Sequence, residues 1–135
     1  MTWNFAVLAS DQIINHASKM LQMSGGQFTT PIVFRGANGP AGQLAATHSQ
    51  SYEAFYSNIP GLKVVFPVSP YDAKGLMNSA LQGTDPVIFF ESQRIYEIGE
   101  QFVKEGVPEG YYEIPFGEPD VKREGKEIQV LKAGV

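Results

Sequence analysis

The chain has 135 residues and a formal net charge of −4, with 43% hydrophobic and 18% charged residues. That length suits about one domain, and the composition suits a folded globular chain rather than a disordered one. The negative balance disfavours nucleic-acid binding, the absence of cysteine excludes disulfides and thiolate chemistry, and no apolar run approaches the roughly 20 residues of a membrane span. The opening MTWNFAVLASDQ lacks a basic n-region and carries Asp11 early, which argues against a signal peptide, so the default placement is cytoplasmic.

From Met1 to Met23 the apolar residues Phe5, Leu8, Ala9, Ile13, Ala17, Met20 and Leu21 recur at three- and four-residue steps. The spacing predicts a helix, and Val7, Ile14 and Met23 widen its apolar face, so burial on more than one side is expected. Asn4 is a candidate cap, and Ser24-Gly25-Gly26 ends the helix. A chain opening on so apolar an element suggests that something upstream is missing. Pro31 to Phe34 reads as a first strand, and Arg35-Gly36 leads into a glycine- and alanine-rich loop that closes on His48-Ser49-Gln50 and runs through Ser51. Glycines let backbone approach a ligand closely, and loops at the carboxyl ends of parallel strands are where α/β folds hold their ligands.

Tyr52 to Ser57 is a short helical turn bearing aromatics, and Asn58 to Gly61 is a turn. Leu62 to Phe66 is a second strand, stopped by Pro67. Ser69 as N-cap, Pro70 in the first turn and Asp72 at the positive end start a helix that runs to about Gln82, with Ala73, Leu76, Met77, Ala80 and Leu81 facing inward. Pro86 to Phe90 is a third strand. Nearly continuous apolar strands are usually covered on both faces, as in a parallel sheet, and the second strand, helix and third strand form a βαβ unit with a right-handed crossover expected. The fold class is therefore α/β: a partial three-layer sandwich with a mainly parallel sheet. Residues 1–96 read as a partial domain. Residues 97–135 read as a connector and first strands, with an edge strand at Tyr111 to Pro115. A hairpin turn over Lys122 to Lys126 joins Pro119-Asp120-Val121 to Ile128-Gln129-Val130-Leu131.

His48 is the leading candidate for chemistry, because an imidazole after a glycine-rich loop can transfer protons near neutral pH; a histidine simply hydrogen-bonded in its loop is the competing reading. His16 reads as a packing or partly exposed residue. Ser49 beside His48 makes no nucleophile arrangement, and there is no G-x-S-x-G elbow, phosphate loop, dinucleotide fingerprint or zinc spacing. The helix end over Ala80 to Asp85 offers carbonyls to a hard cation, with an ordinary C-cap as the alternative.

Taken together, NFAVLASDQIINHASKM, PIVFRGANG, THSQSYEAFY, PGLKVVFPVSPYDAKGLM and DPVIFFES resemble the β subunit of the thiamine diphosphate-dependent E1 component of 2-oxo acid dehydrogenase complexes, the pyruvate, branched-chain and acetoin type. The likeness is strong from Met1 to about Tyr96 and looser through Val135. It implies a transketolase pyrimidine-domain-like fold, and a chain that starts inside that domain and ends at the start of a C-terminal one. The same likeness implies that Phe5 packs on the aminopyrimidine ring of thiamine diphosphate. It implies that His48 faces the active site and assists proton transfer or reductive acylation of lipoyl groups; Thr47 stands where the family commonly has Gln. Ile32, Ala80, Leu81, Gly83 and Asp85 match positions that bind a structural potassium ion in some members, largely through backbone carbonyls, with Gly83 and Asp85 departing from the commoner Asp and Asn.

The family's catalytic glutamate lies upstream of the matched portion, and a separate α subunit holds the diphosphate and its magnesium. The expectation is a piece of an E1 β subunit, inactive alone, whose intact relative decarboxylates a 2-oxo acid with an E1 α subunit and a lipoyl-bearing E2. As an isolated chain it is expected to self-associate, for instance as a symmetric dimer through the first helix. A stand-alone, non-catalytic interaction module on the same scaffold is the alternative of a different class. Another thiamine enzyme, such as a transketolase-like synthase, is disfavoured by H-S-Q following R-G-x-N-G.

Overall fold

The computed structural model describes residues 2–40, 42, 44–123, 125 and 130–132. Three strands form a sheet in the order β1-β3-β2, with β1 at Val33–Asn38, β2 at Lys63–Val65 and β3 at Val87–Ser92. Both pairings are parallel, with Val33 and Lys63 each opposite Val87. Val87 to Phe90 are all buried, as a central strand covered on both faces requires. Alternation along β3 then divides the core. Ile88 and Phe90 pack with Trp3, Ile13 and Tyr56 on one face. Val87 and Phe89 pack with Val65, Leu76 and Ala80 on the other. The three-layer α/β reading holds.

The βαβ segment folds as its sequence signals direct. Helix α3 spans Pro70–Gln82, with α1 at Met20–Met23 and α2 at Glu53–Ser57 before it. The Ser69 hydroxyl accepts from the Asp72 N–H at 3.2 Å and donates to the Asp72 carboxylate at 3.0 Å, so the cap and the acidic first-turn residue lock each other. Leu76 and Ala80 are buried beneath it, whereas Leu81, read as inward, is 65% exposed. At α1 the stop is a Schellman turn: Gly26 N–H donates to Leu21 O and Gly25 N–H to Gln22 O, with both glycines at positive φ.

Two elements differ from the periodicity reading. The opening segment is not one α-helix: it is a 3₁₀-helix over Trp3–Ala9, a π-helix over Gln12–Ala17 and then α1. A 3₁₀ turn has three residues, so side chains three apart line up. Trp3, Ala6 and Ala9 accordingly line, with Gln12 of the π-helix, a groove of about 320 Å³ against Phe34 and Gly36 of β1, while Phe5 and Leu8 turn outward. Leu8 is 96% exposed and Met23 83%, so the segment is buried along one stripe only. Asn4 does not cap it; Thr2 takes the N-cap position, with no side-chain cap bond. Strand β1, read as ending at Phe34, continues through Arg35-Gly36-Ala37-Asn38 because β3 supplies a partner for each of them. Gly36 is therefore a strand residue. Its missing side chain leaves room for Trp3, whose Nε1–H donates to Gly36 O at 3.1 Å.

Residues 99 to 116 form an irregular strap over α3. Tyr111 to Pro115 is not an edge strand: Ile114 N–H and the Ser79 hydroxyl tie it to the helix, and Tyr112 stacks on Tyr71 with centroids 4.8 Å apart. Glu100 fastens the other end, accepting from the N–H groups of Tyr71, Phe102 and Val103 at 2.7, 2.8 and 3.1 Å. Partial burial pushes the Glu100 carboxyl up, but these backbone donors outweigh it and hold its pKa below the ordinary carboxylate value. The ionised form is thus the one that stabilises the fold. That contribution is complete above the ordinary carboxylate range and is lost as pH falls through the lowered pKa. Glu100→Ala is expected to cost about 1–2 kcal/mol. Amide exchange at Tyr71, Phe102 and Val103 checks this: protection should fall on acidification in the parent chain and be weak at every pH in the variant.

Strands β4, Asp120–Arg123, and β5, Val130–Lys132, pair antiparallel as the predicted hairpin does. Lys122 and Arg123 belong to β4 rather than to its turn. Glu124 and Lys126 of the predicted turn, and Ile128 and Gln129 of its second strand, lie outside the described residues, as do Met1 and Ala133-Gly134-Val135. Among the described residues no helix is long and apolar enough to cross a membrane.

Candidate functional site

The outward turn of the 3₁₀ segment and the carboxyl end of β1 meet at one place. Phe5, 45% exposed, projects from the segment toward His48, and the two ring centroids are 5.0 Å apart at 58°. His48 ends a short 3₁₀ turn, Ala46–His48, and its N–H donates to Ala45 O at 3.3 Å. Ala45 has φ +65 and ψ −171, a region that side-chain-bearing residues rarely occupy and that costs of the order of 1–3 kcal/mol. Such strain persists where surrounding contacts impose it. Here it delivers the imidazole to the Phe5 ring.

The loop behind His48 is tied down by contacts that the sequence did not single out. Asn38, the last residue of β1 and 1% exposed, accepts from the Tyr52 N–H at 3.1 Å through its side-chain oxygen. Its side-chain nitrogen has no hydrogen-bond partner among the described residues. Gly39, at φ +88, donates to Gln50 O at 3.1 Å. Gln50 Oε1 accepts from Asn4 Nδ2 at 3.0 Å and from the Tyr52 hydroxyl at 2.5 Å. The Thr47 hydroxyl lies 3.0 Å from His48 Nδ1. When that hydroxyl donates, Nδ1 accepts and the ring proton sits on Nε2. The only signal in the sequence for this network is the polar run His48-Ser49-Gln50 after small residues; the partners Asn4 and Asn38 are long-range.

The Phe5–His48 pair forms an open shelf, not an enclosed pocket. His16, by contrast, is exposed in the π-helical segment, with Nδ1 3.4 Å from the Asp11 carboxylate, and has no place in the shelf. A second polar group stands on the α3 face of the sheet. Arg35 Nε donates to Glu91 at 2.5 Å and the Tyr96 hydroxyl donates to the same carboxylate at 2.8 Å. Burial, the Glu91 bond and the Glu91 charge push the Tyr96 phenol up to about 12, and the Glu91 bond and charge raise the Arg35 guanidinium too. All three polar groups satisfy one another.

The five positions for which the resemblance implies a potassium ion lie at the opposite end of the strands. Ile32 precedes β1, and its carbonyl accepts from Val87 N–H at 2.9 Å. Ala80 and Leu81 are in the last turn of α3, Gly83 is its C-cap, and the Asp85 carboxylate pairs with Lys63 at 2.9 Å. Asn38 is six residue steps along β1 from Ile32, about 20 Å away. Helix-end and strand-start carbonyls are suitable donors for a hard cation. Among the described residues no cluster of three or more His, Cys, Asp or Glu side chains is formed.

In open parallel α/β sheets ligands bind outside the carboxyl ends of the strands, and the Phe5–His48 pair stands at that end of β1. Residues 1–98 match the family "Transketolase, pyrimidine binding domain", and the chain belongs to that family, which works with thiamine diphosphate. It is similar along nearly all its length to proteins named pyruvate dehydrogenase E1 component subunit beta. Identity is 50% over 131 residues to the one from Rickettsia felis, covering 97% of this chain and 39% of the relative. It is 47% over 135 residues to that of Rhizobium meliloti, covering all of this chain and 28% of the relative. A mitochondrial form from Arabidopsis thaliana is 45% identical over 132 residues, covering 97% and 36%. The chain thus spans about two-fifths of the length of the nearest of these three.

Proposed function

We propose that this chain supplies the pyrimidine-facing half of a thiamine diphosphate site in an E1 component of the pyruvate dehydrogenase type. The observation that carries the reading is the open Phe5–His48 shelf at the carboxyl end of β1. Coenzyme sites normally bury most of their ligand, so an open shelf calls for a second surface to close it. In this reading that surface is the E1 α subunit, which also holds the diphosphate and its magnesium. Phe5 offers a ring face or edge to the aminopyrimidine, a contact worth about 0.5–1.5 kcal/mol beyond its buried area. His48, whose Nδ1 lies 3.0 Å from the Thr47 hydroxyl, holds or delivers a proton through Nε2 at the mouth of the site. Thiamine diphosphate, when bound, supplies the carbon nucleophile that decarboxylates a 2-oxo acid; acyl transfer to lipoyl groups of an E2 follows in the intact complex.

Residues 97–135 are read as the connector toward a C-terminal domain, and the Ile32/Ala80/Leu81/Gly83/Asp85 end as a purely structural potassium position. Exposed Leu8, Met23 and Phe28 are read as partner-facing, toward another subunit or a second copy. The cytoplasmic placement belongs to the same proposal.

Titration calorimetry tests the reading. The chain alone should show no tight binding of thiamine diphosphate. Addition of a purified E1 α subunit and magnesium should produce binding, and Phe5→Ala should weaken it by about tenfold. Tight binding without a partner overturns the shared site. No binding with the partner overturns the coenzyme role and favours a non-catalytic interaction module.

A further inference from the structure

We infer that Gln50 is a positioning residue: its side-chain oxygen clasps the segment that carries Phe5 to the loop that carries His48 and so sets the distance between the two rings.

Phe5 and His48 belong to elements far apart in sequence, and neither ring is buried enough for packing to fix it. Gln50 Oε1 is the atom on which the two elements converge. It accepts from Asn4 Nδ2, next to Phe5, and from the Tyr52 hydroxyl on the loop's own far side. With the amides so oriented, the Gln50 carbonyl oxygen takes both donors. Backbone anchoring of the loop is separate: Gly39 N–H holds Gln50 O, and Asn38 holds Tyr52 N–H, both at 3.1 Å. Removing the Gln50 side chain therefore leaves the loop fastened to β1 and cuts its link to Asn4. Thr2 already holds the other side of Asn4, its hydroxyl donating to Asn4 Oδ1 at 2.9 Å, so the clasp pulls on a residue that is itself held. A carboxylate at position 50 can accept both donors, whereas an alkyl group accepts neither.

The significance of the distance for coenzyme rests on the function proposed above, but the clasp is measured without coenzyme. In the full chain, proton NMR should show a cross-peak between the Phe5 and His48 rings, with His48 told from His16 by the spectrum of His16→Gln. Gln50→Ala should lose that cross-peak, and its ring-current shift on the imidazole, while far-UV circular dichroism and Trp3 emission stay as in the parent. Gln50→Glu should restore both. A retained cross-peak in Gln50→Ala, or no restoration in Gln50→Glu, overturns the inference. If Gln50→Ala unfolds, Asn4→Ala decides: loss of the cross-peak in a folded chain supports the clasp, and its retention overturns it. Because no coenzyme is present, failure here leaves the calorimetric test of function untouched, and the reverse also holds.

Discussion

Trp3→Ala is expected to remove about 3–5 kcal/mol of stability, the range for deleting a buried large aromatic. Trp3 is 5% exposed and stands at the centre of one core face, edge-on to Tyr56 at 5.2 Å and to Phe90 at 5.0 Å. Its indole N–H is satisfied by Gly36 O, so truncation also strips a hydrogen bond from β1. Domains of this size have about 5–15 kcal/mol in hand, so the loss is a large part of the total. The functional consequence follows from position. Trp3 is the buried anchor of the 3₁₀ segment whose outward stripe carries Phe5, and without it the shelf loses its foundation. Urea unfolding of Trp3→Ala and Trp3→Phe checks the claim, with Phe, which keeps ring contacts but no N–H donor, falling between the parent and Ala. A loss under about 1 kcal/mol for Ala would show that the segment is held by something else.

Gly61→Ala is expected to be as damaging for an unrelated reason. Gly61 sits at φ +92, where a side chain is strained, and a Cβ there would lie 2.1 Å from the Ser18 carbonyl oxygen and 3.1 Å from its carbon. The obstacle is backbone, so no rotamer change relieves it. Ser18 is itself buried and holds the end of the π-helical segment through its hydroxyl to Ile14 O. Either the turn before β2 or the opening segment has to move, at a cost of more than about 3 kcal/mol. Gly25→Ala is the control. It has a positive φ of 63 but nothing within 4 Å of the added carbon, so it should cost about 1 kcal/mol. Thermal unfolding of the two variants side by side separates steric from conformational cost. Equal shifts would contradict the close approach at Gly61.

Local signals proved sufficient where the interactions themselves are local. Ser69, Pro70 and Asp72 lie within one helical turn and fix the start of α3 by bonds among themselves, and Gly25-Gly26 closes α1 in the same way. The all-apolar run Val87 to Phe90 declared a strand covered on both faces for a similar reason: its own side chains demand burial whichever face they point to. The resemblance that singles out Phe5 and His48 also rests on short stretches. The structure brings the two rings together at 5.0 Å.

Residues read in order along the chain thus settle the α/β class, the βαβ unit and the family. Tertiary structure alone decided the rest. Arg35 to Asn38 became strand because β3 offered them partners, and Arg-Gly carries no such information locally. The opening segment took 3₁₀ and π turns instead of one α-helix, with Trp3 bonded to Gly36 O and Ile13 packed beside it on the sheet. Tyr111 to Pro115 became a strap because Gly75 lets Ile114 and Tyr112 close on α3. Gln50 joined the site through Asn4, 46 residues away. In each case the deciding partner is distant along the chain. Local propensity is a weak force beside a long-range contact that buries a side chain or satisfies a hydrogen-bonding group.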